Sequence, residues 1–124
     1  MNKNLPLSDI VILDLTNVLS GPFATQILLD LGAEIIKVEK PDGDDSRRFG
    51  PFVKKRSSYF ISLNRGKKSI VVDFNNEEDK KIFKKLLAIS DVIIDNFKPG
   101  TLEKYGFSSS YLKKKLSITY TNKN

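Results

Sequence analysis

Between Ile10 and Lys40 the chain reads IVILDLTNVLSGPFATQILLDLGAEIIKVEK, and this stretch constrains the fold more than any other. Ile10, Val11, Ile12, Leu13 and Leu15 form a short apolar run rich in β-branched residues, which suits a strand buried on both faces. Ser20-Gly21-Pro22 punctuates the chain, since Ser or Gly caps a helix and Pro fits its first turn. Phe23, Ile27, Leu28 and Leu31 then share a helical face, and Gly32 supplies a stop. Glu34 to Glu39 reads as a second strand. Strand, helix and strand in about thirty residues predict a right-handed βαβ unit with parallel strands.

Such a unit binds ligands at the carboxyl ends of its strands, against helix N-termini. Asn17 to Gly21 and Glu39 to Pro41 therefore sit at the mouth of a site. Glu39 ends the second strand where a ribose-binding acid would stand in a dinucleotide protein. The glycine fingerprint is missing, because only Gly21 lies between Thr16 and the helix, and this argues against that ligand.

Beyond Lys40 the signals continue in the same style. Pro41 to Lys55 reads as a polar, largely self-neutralising surface loop, with Asp44 and Asp45 beside Arg47 and Arg48. Ser57 to Leu63 alternates weakly, as a strand would. Asn64 to Lys68 is a basic turn, and Ser69 to Asp73 a third strand. Asp73 resembles the phosphoacceptor of a receiver domain, but Thr16-Asn17 offers none of the acid pair such a domain needs. Asn75 followed by Glu78 resembles a capping box, with acids in the first turn and Ile82, Phe83, Leu86 and Leu87 as the buried stripe. Asp91 to Phe97 is a fourth strand. Thr101 to Tyr105 and Ser108 to Leu116 are helices, and Ile118 to Thr121 a fifth strand with no helix after it.

Several ordered motifs then carry a resemblance. DLTNVLSGPFATQILLDLGAEIIKVEKPDGDDSRRFGP, SSYFISLNRGKKSIVVDF and DVIIDNFKPGTLEKYGF, in one register, resemble the opening of the family III CoA-transferases, the CaiB/BaiF family. The resemblance covers nearly the whole chain and implies an α/β fold. It predicts a Rossmann-like parallel sheet with flanking helices, residues 1–124 forming the N-terminal CoA-binding portion of a larger transferase fold. It makes Ser57 to Leu63 a short helix instead of a strand, and it places the Asp44–Arg48 loop beside the active site, where Arg47 receives no role. The pattern is lost at Leu116-Ser117, so the chain is expected to be a truncated N-terminal fragment.

The same resemblance implies a ligand. Coenzyme A carries a pyrophosphate and a 3′-phosphate, so its site needs cations, free backbone N–H groups and an apolar surface for adenine. The matching positions are Leu19, Ser20, Lys40, Val72, Asp73, Phe74, Asn75, Asn96, Phe97, Lys98 and Lys104. Phe97, an aromatic residue closing a strand, also reads as core. Lys40 and Lys104 stand where relatives often have arginine, which keeps the charge and loses the bidentate fork. CoA and acyl-CoA are substrates in this reading, with no covalently bound cofactor, and the other substrate is a carboxylic acid. The family nucleophile is an aspartate that forms anhydride and thioester intermediates, and it belongs to a segment this chain lacks. Asp14, Asp73, Asp91 and Asp95 do not match it, so no catalytic residue is named and the chain alone is expected to be inactive. Full-length members form interlocked homodimers.

Composition narrows the alternatives. With no cysteine and no histidine there is no disulfide framework, no thiolate and no imidazole base. No apolar run is long enough to span a bilayer and no hydrophobic leader precedes the first strand, which points to the cytoplasm. The net charge of +6 fits a polyanion partner, but the runs Lys80-Lys81, Lys84-Lys85 and Lys113 to Lys115 read as solvated helix faces. Arg is not interleaved with aromatic residues on one face, so neither nucleic acid nor membrane is expected as a partner. Two other functions stay open. One is a piece of an α-methylacyl-CoA racemase, which needs a histidine and acid pair; the retained SSYFISLNRGKKS stretch favours the transferase. The other is a non-catalytic basic binding module.

Overall fold

A computed structural model of the chain describes residues 4–116 and 118–121, the side chains as far as Leu116. Ser117, where the family pattern is lost, and residues 122–124 lie outside the described residues. In chain order the elements are β1 (Val11–Asp14), α1 (Ser20–Asp30), β2 (Glu34–Glu39), a 3-10 turn at Asp45–Arg48, β3 (Phe52–Val53) and β4 (Arg56–Ser57). There follow α2 (Ser58–Asn64), β5 (Lys68–Val71), α3 (Glu77–Ile89), β6 (Val92–Asp95), α4 (Thr101–Lys104), α5 (Ser109–Lys115) and β7 (Ile118–Thr121).

The main sheet has five strands in the order β5-β2-β1-β6-β7, and every neighbouring pair is parallel. Among the described residues no helix is long and apolar enough to cross a membrane. β1 and β2 occupy the middle, as their apolar runs require, and alternation splits their side chains between two cores. Leu13, Leu15, Ile36 and Val38 join Phe83, Leu87, Ile93, Phe107 and Leu112 on one face. Ile12, Ala33 and Ile35 pack with Leu28 and Leu29 on the other. Phe83 is fully buried, with its ring edge-on to Phe107 at 4.8 Å and Phe74 at 5.0 Å. Truncating such a residue to Ala costs about 3–5 kcal/mol.

Local signals decide where most elements stop. β6 is shorter than the expected 91–97 strand, because the Asp95 carboxylate captures the Phe97 N–H at 3.1 Å and bends the chain. The α3 cap is Asn76, not Asn75: the Asp73 carboxylate accepts the Asn75 N–H at 2.9 Å, carrying the chain one residue further. Asn76 Oδ1 then accepts the Asp79 N–H at 3.1 Å. Residues 58–64 form helix rather than strand, because Ser57, the last residue of β4, accepts the Phe60 N–H on its Oγ at 3.1 Å and so caps α2.

Two readings need correction. The loop at 41–55 is not a plain surface turn: it holds the 3-10 turn and the first strand and tip of the β3–β4 hairpin, where Lys54 and Lys55 have φ 50 and 64. Helix α1 also turns the other way from what its pattern suggests. Phe23, Ile27 and Leu31 stay 55, 46 and 41 % exposed, while Pro22, Thr25 and Gln26 face inward. Thr25 and Gln26 are needed there, as hydrogen-bond partners of Asp14 and of the Arg65 carbonyl.

Candidate functional site

Because the strands are parallel, their carboxyl ends share one edge. The chain builds outward through β1, β2 and β5, then returns to place β6 on the other side of β1. A crevice opens at such a reversal, between the ends of β1 and β6. Here a side chain closes its floor. Asn96 Oδ1 accepts the Asn17 N–H at 3.0 Å and Asn96 Nδ2 donates to the Asn17 carbonyl at 2.9 Å. The preceding residue is held as firmly: the Asp14 carboxylate accepts the Thr16 N–H at 2.9 Å, and Lys37 Nζ donates to the Thr16 carbonyl at 2.9 Å. The Val18 N–H donates to Asp44 at 3.1 Å. Every backbone polar group from the Thr16 N–H to the Val18 N–H is thus pinned by a side chain. Val18 has φ 70, a conformation that β-branched residues avoid and that costs about 1–3 kcal/mol unless its surroundings impose it. Gly21 then packs so closely that any β carbon there would collide with the Thr16 side chain.

The end of β2 supplies the opposite wall. Lys37 and Asp44 are both buried and form an ion pair at 2.9 Å, and Asp44 also accepts the Ser46 N–H at 2.9 Å. Burial pushes the Asp44 carboxyl up, but Lys37 and Ser46 outweigh it and leave the group below the usual carboxylate range. Glu39 behaves alike: burial is overcome by the bidentate Arg47 fork at 2.8 and 2.6 Å, the Asp44 N–H and the Ser69 hydroxyl. Arg47 lies 3.9 Å from the centre of the Phe60 ring, so this arginine braces the wall.

The residues matched to a CoA site follow the ends of β1, β2, β5 and β6, except Lys104, which closes α4. Leu19 and Ser20 are exposed at the start of α1, where no side chain caps the helix. Lys40 is exposed and pairs with Asp45 at 3.0 Å. Val72 is core, its N–H extending the ladder to the Glu39 carbonyl at 2.9 Å. Asp73 and Asn75 are tied into the turn before α3. Phe74 reaches across to stack on Tyr105 at 5.4 Å, joining the loop after β5 to the end of α4. Lys104 Nζ lies 5.5 Å from the same Tyr105 ring. Asn96 turns its amide inward to Asn17, and Phe97 packs partly into the core. Lys98 is exposed and lines a cavity of about 350 Å³ with Phe97, Thr101, Leu102, Phe107 and Asp95.

Beneath the edge lies a buried charge cluster that sequence reading missed. Lys67, placed in a basic turn by its neighbours, is buried and reaches Asp14 at 3.2 Å, Thr25 Oγ1 at 2.7 Å, Asn64 Oδ1 at 2.9 Å and the Pro22 carbonyl at 3.0 Å. Burial lowers its pKa, against the pull of Asp14. One signal was available: Lys37 interrupts a strand buried on both faces, and a buried lysine demands an acid. The remaining aspartates are also committed. Asp91 accepts the Val11 N–H at 2.9 Å, and Asp95 is buried with Oδ2 unpartnered, its carboxyl raised by burial despite the Phe97 N–H. Among the described residues no group of His, Cys, Asp or Glu is arranged to hold a metal ion.

Comparison with known proteins agrees with this architecture. CoA-transferase family III matches residues 7–116. The acetyl-CoA:oxalate CoA-transferase of Acetobacter aceti is 46 % identical over 110 residues, covering 88 % of this chain and 28 % of that protein. The human succinyl-CoA:glutarate CoA-transferase is 53 % identical over 108 residues, covering 86 % of this chain and 25 % of its own length. A crystal structure of a CaiB/BaiF family protein from Brucella suis superposes with a TM-score of 0.88 at 42 % identity, over 96 % of this chain and 33 % of that one. The chain therefore spans about a quarter of the length of these curated relatives. From the five parallel strands to the motifs at their ends, this chain belongs to CoA-transferase family III.

Proposed function

We propose that this chain forms the CoA-binding part of an enzyme that moves coenzyme A between an acyl-CoA and a carboxylic acid. The observation that carries the proposal is the family match over residues 7–116, supported by Leu19, Ser20, Lys40, Asp73 to Asn75 and Lys98 following strand ends on one side of the sheet, with Lys104 at the end of the next helix. Lys40, Lys98 and Lys104 are exposed cations suited to phosphates, and the Phe74–Tyr105 stack offers a flat apolar surface beside Lys104. The relatives' names, which pair an acyl-CoA with oxalate or glutarate, support the substrate class.

Chemistry is assigned elsewhere in the assembled enzyme. Asp14 and Asp91 are held by hydrogen bonds, Asp73 is built into a turn, and Asp95 is buried. None is presented as a free carboxylate nucleophile, and the chain alone is expected to bind without turnover. Association with a second copy belongs to this reading of the whole enzyme.

Calorimetric titration tests it. CoA should bind more tightly than dephospho-CoA, and the affinity should fall as salt rises. Lys40→Ala or Lys104→Ala should weaken CoA by about tenfold, roughly 1.4 kcal/mol, and Lys114→Ala on the exposed face of α5 should not. Equal losses from all three would reduce the site to non-specific polyanion attraction. Incubation with acyl-CoA and a carboxylate acceptor should give neither CoA exchange nor a covalent adduct by mass spectrometry.

A further inference from the structure

We infer that Asp44, locked in place by Lys37, is the positioning residue that fixes the turn before α1 in its ligand-receiving form. The inference rests on the CoA reading above, because the turn delivers Leu19 and Ser20 to that site.

Val18 is the strained residue of the turn. Its φ of 70 is one a valine leaves unless something holds it, and what holds it is the Asp44 carboxylate, at 3.1 and 3.3 Å from its N–H. Asp44 is itself immobilised, fully buried, paired with Lys37 at 2.9 Å and capped onto Ser46 by two hydrogen bonds. Lys37 works on both sides of the turn, since the same ammonium also holds the Thr16 carbonyl at 2.9 Å. Burying an ion pair is unfavourable in itself, and a buried pair does not explain itself by stability. This one sets the path of the chain between Thr16 and Leu19. Two residues later comes an uncapped helix N-terminus with Leu19 and Ser20 exposed. Should the carboxylate let go, Val18 relaxes to negative φ, and Leu19 and Ser20 move off the edge shared with Lys40 and Asn96.

A double-mutant comparison separates positioning from plain stability. Asp44→Asn weakens the hold on Val18 and leaves Lys37 without its counter-charge, so both CoA affinity and thermal stability should fall, affinity by about tenfold. Adding Val18→Gly removes the resistance to positive φ without restoring the ion pair. The Asp44→Asn/Val18→Gly chain should recover most of the CoA affinity while its melting temperature stays low. A merely structural Asp44 would leave both low. If Asp44→Asn fails to fold, Val18→Pro decides the matter from the other side. Proline has no N–H for Asp44 and cannot adopt φ 70, while the Lys37–Asp44 pair stays intact. Val18→Pro should lose at least about tenfold in CoA affinity with the core still folded. Wild-type affinity in Asp44→Asn or Val18→Pro, or a double mutant as weak as Asp44→Asn, would overturn the assignment. No CoA binding by the unsubstituted chain would instead remove the reading of the site, and this inference with it.

Discussion

Lys67 sits 3.2 Å from Asp14 with both side chains buried, a lysine from the turn before β5 neutralising an aspartate at the end of β1. Thr25 bonds both partners, at 2.6 Å to Asp14 and 2.7 Å to Lys67, so the contact ties sheet, α1 and the 64–67 turn together. Removing one partner of a buried pair leaves the other uncompensated. Lys67→Met is therefore expected to destabilise the chain by about 3–5 kcal/mol. Chemical denaturation checks this, and a loss below about 1 kcal/mol would show that the pair is solvated in solution.

The outward face of α1 predicts self-association. Leu19, Phe23, Ile27 and Leu31 repeat every fourth residue and are each 41–55 % exposed, which makes a continuous apolar ridge. The isolated chain should associate in sedimentation experiments at micromolar concentration, and Phe23→Lys with Ile27→Lys should shift it toward monomer. Stability should change little, by about 0.5 kcal/mol or less, because these positions are exposed. A monodisperse wild-type monomer would contradict the expectation.

Asp95 predicts an unusual response to pH. Burial raises its carboxyl above the ordinary range, so protonation favours the folded state. Its contribution is greatest below the pKa of the unfolded chain and is lost as pH rises through the higher folded value. At neutral pH the buried, half-satisfied carboxylate is a liability. Asp95→Asn should raise stability there by about 1 kcal/mol, roughly 3–5 °C in Tm, with the gain shrinking in acid. An Asn variant less stable at neutral pH would mean that the carboxylate has a partner in solution.

Glu39 and Asp44 titrate in the opposite sense. Both lie below the usual range, because their partners outweigh burial. Their stabilisation is present above the pKa of the unfolded chain and is lost as pH falls through the lower folded values, in a window below about pH 4. Glu39→Gln should flatten that acid limb of the stability curve and cost about 1 kcal/mol at neutral pH, modest because Arg47 is 45 % exposed and screened. An unchanged acid limb would show that Glu39 is not an important part of it.

The layered architecture was legible in the residues, since short apolar strands and amphipathic helix patterns are local matters. β2 falls at Glu34–Glu39 and β7 at Ile118–Thr121, as their β-rich runs dictate. The motifs between Asp14 and Phe107 sufficed to point to the family. Three features depended on long-range packing. Asp14 and Lys37 read as strand residues, Asp44 as part of a polar loop and Lys67 as part of a basic turn; which acid meets which lysine was settled by packing, because pairing across 7 to 53 residues leaves no periodic trace. The apolar stripe of α1 fixed that it is a helix but not which face meets the sheet; Asp14 and Lys67 settled that by claiming Thr25. Val18 looks like any valine between a strand and the helix after it. Only the Asp44 carboxylate, arriving 26 residues later in the chain, gives it a reason for positive φ.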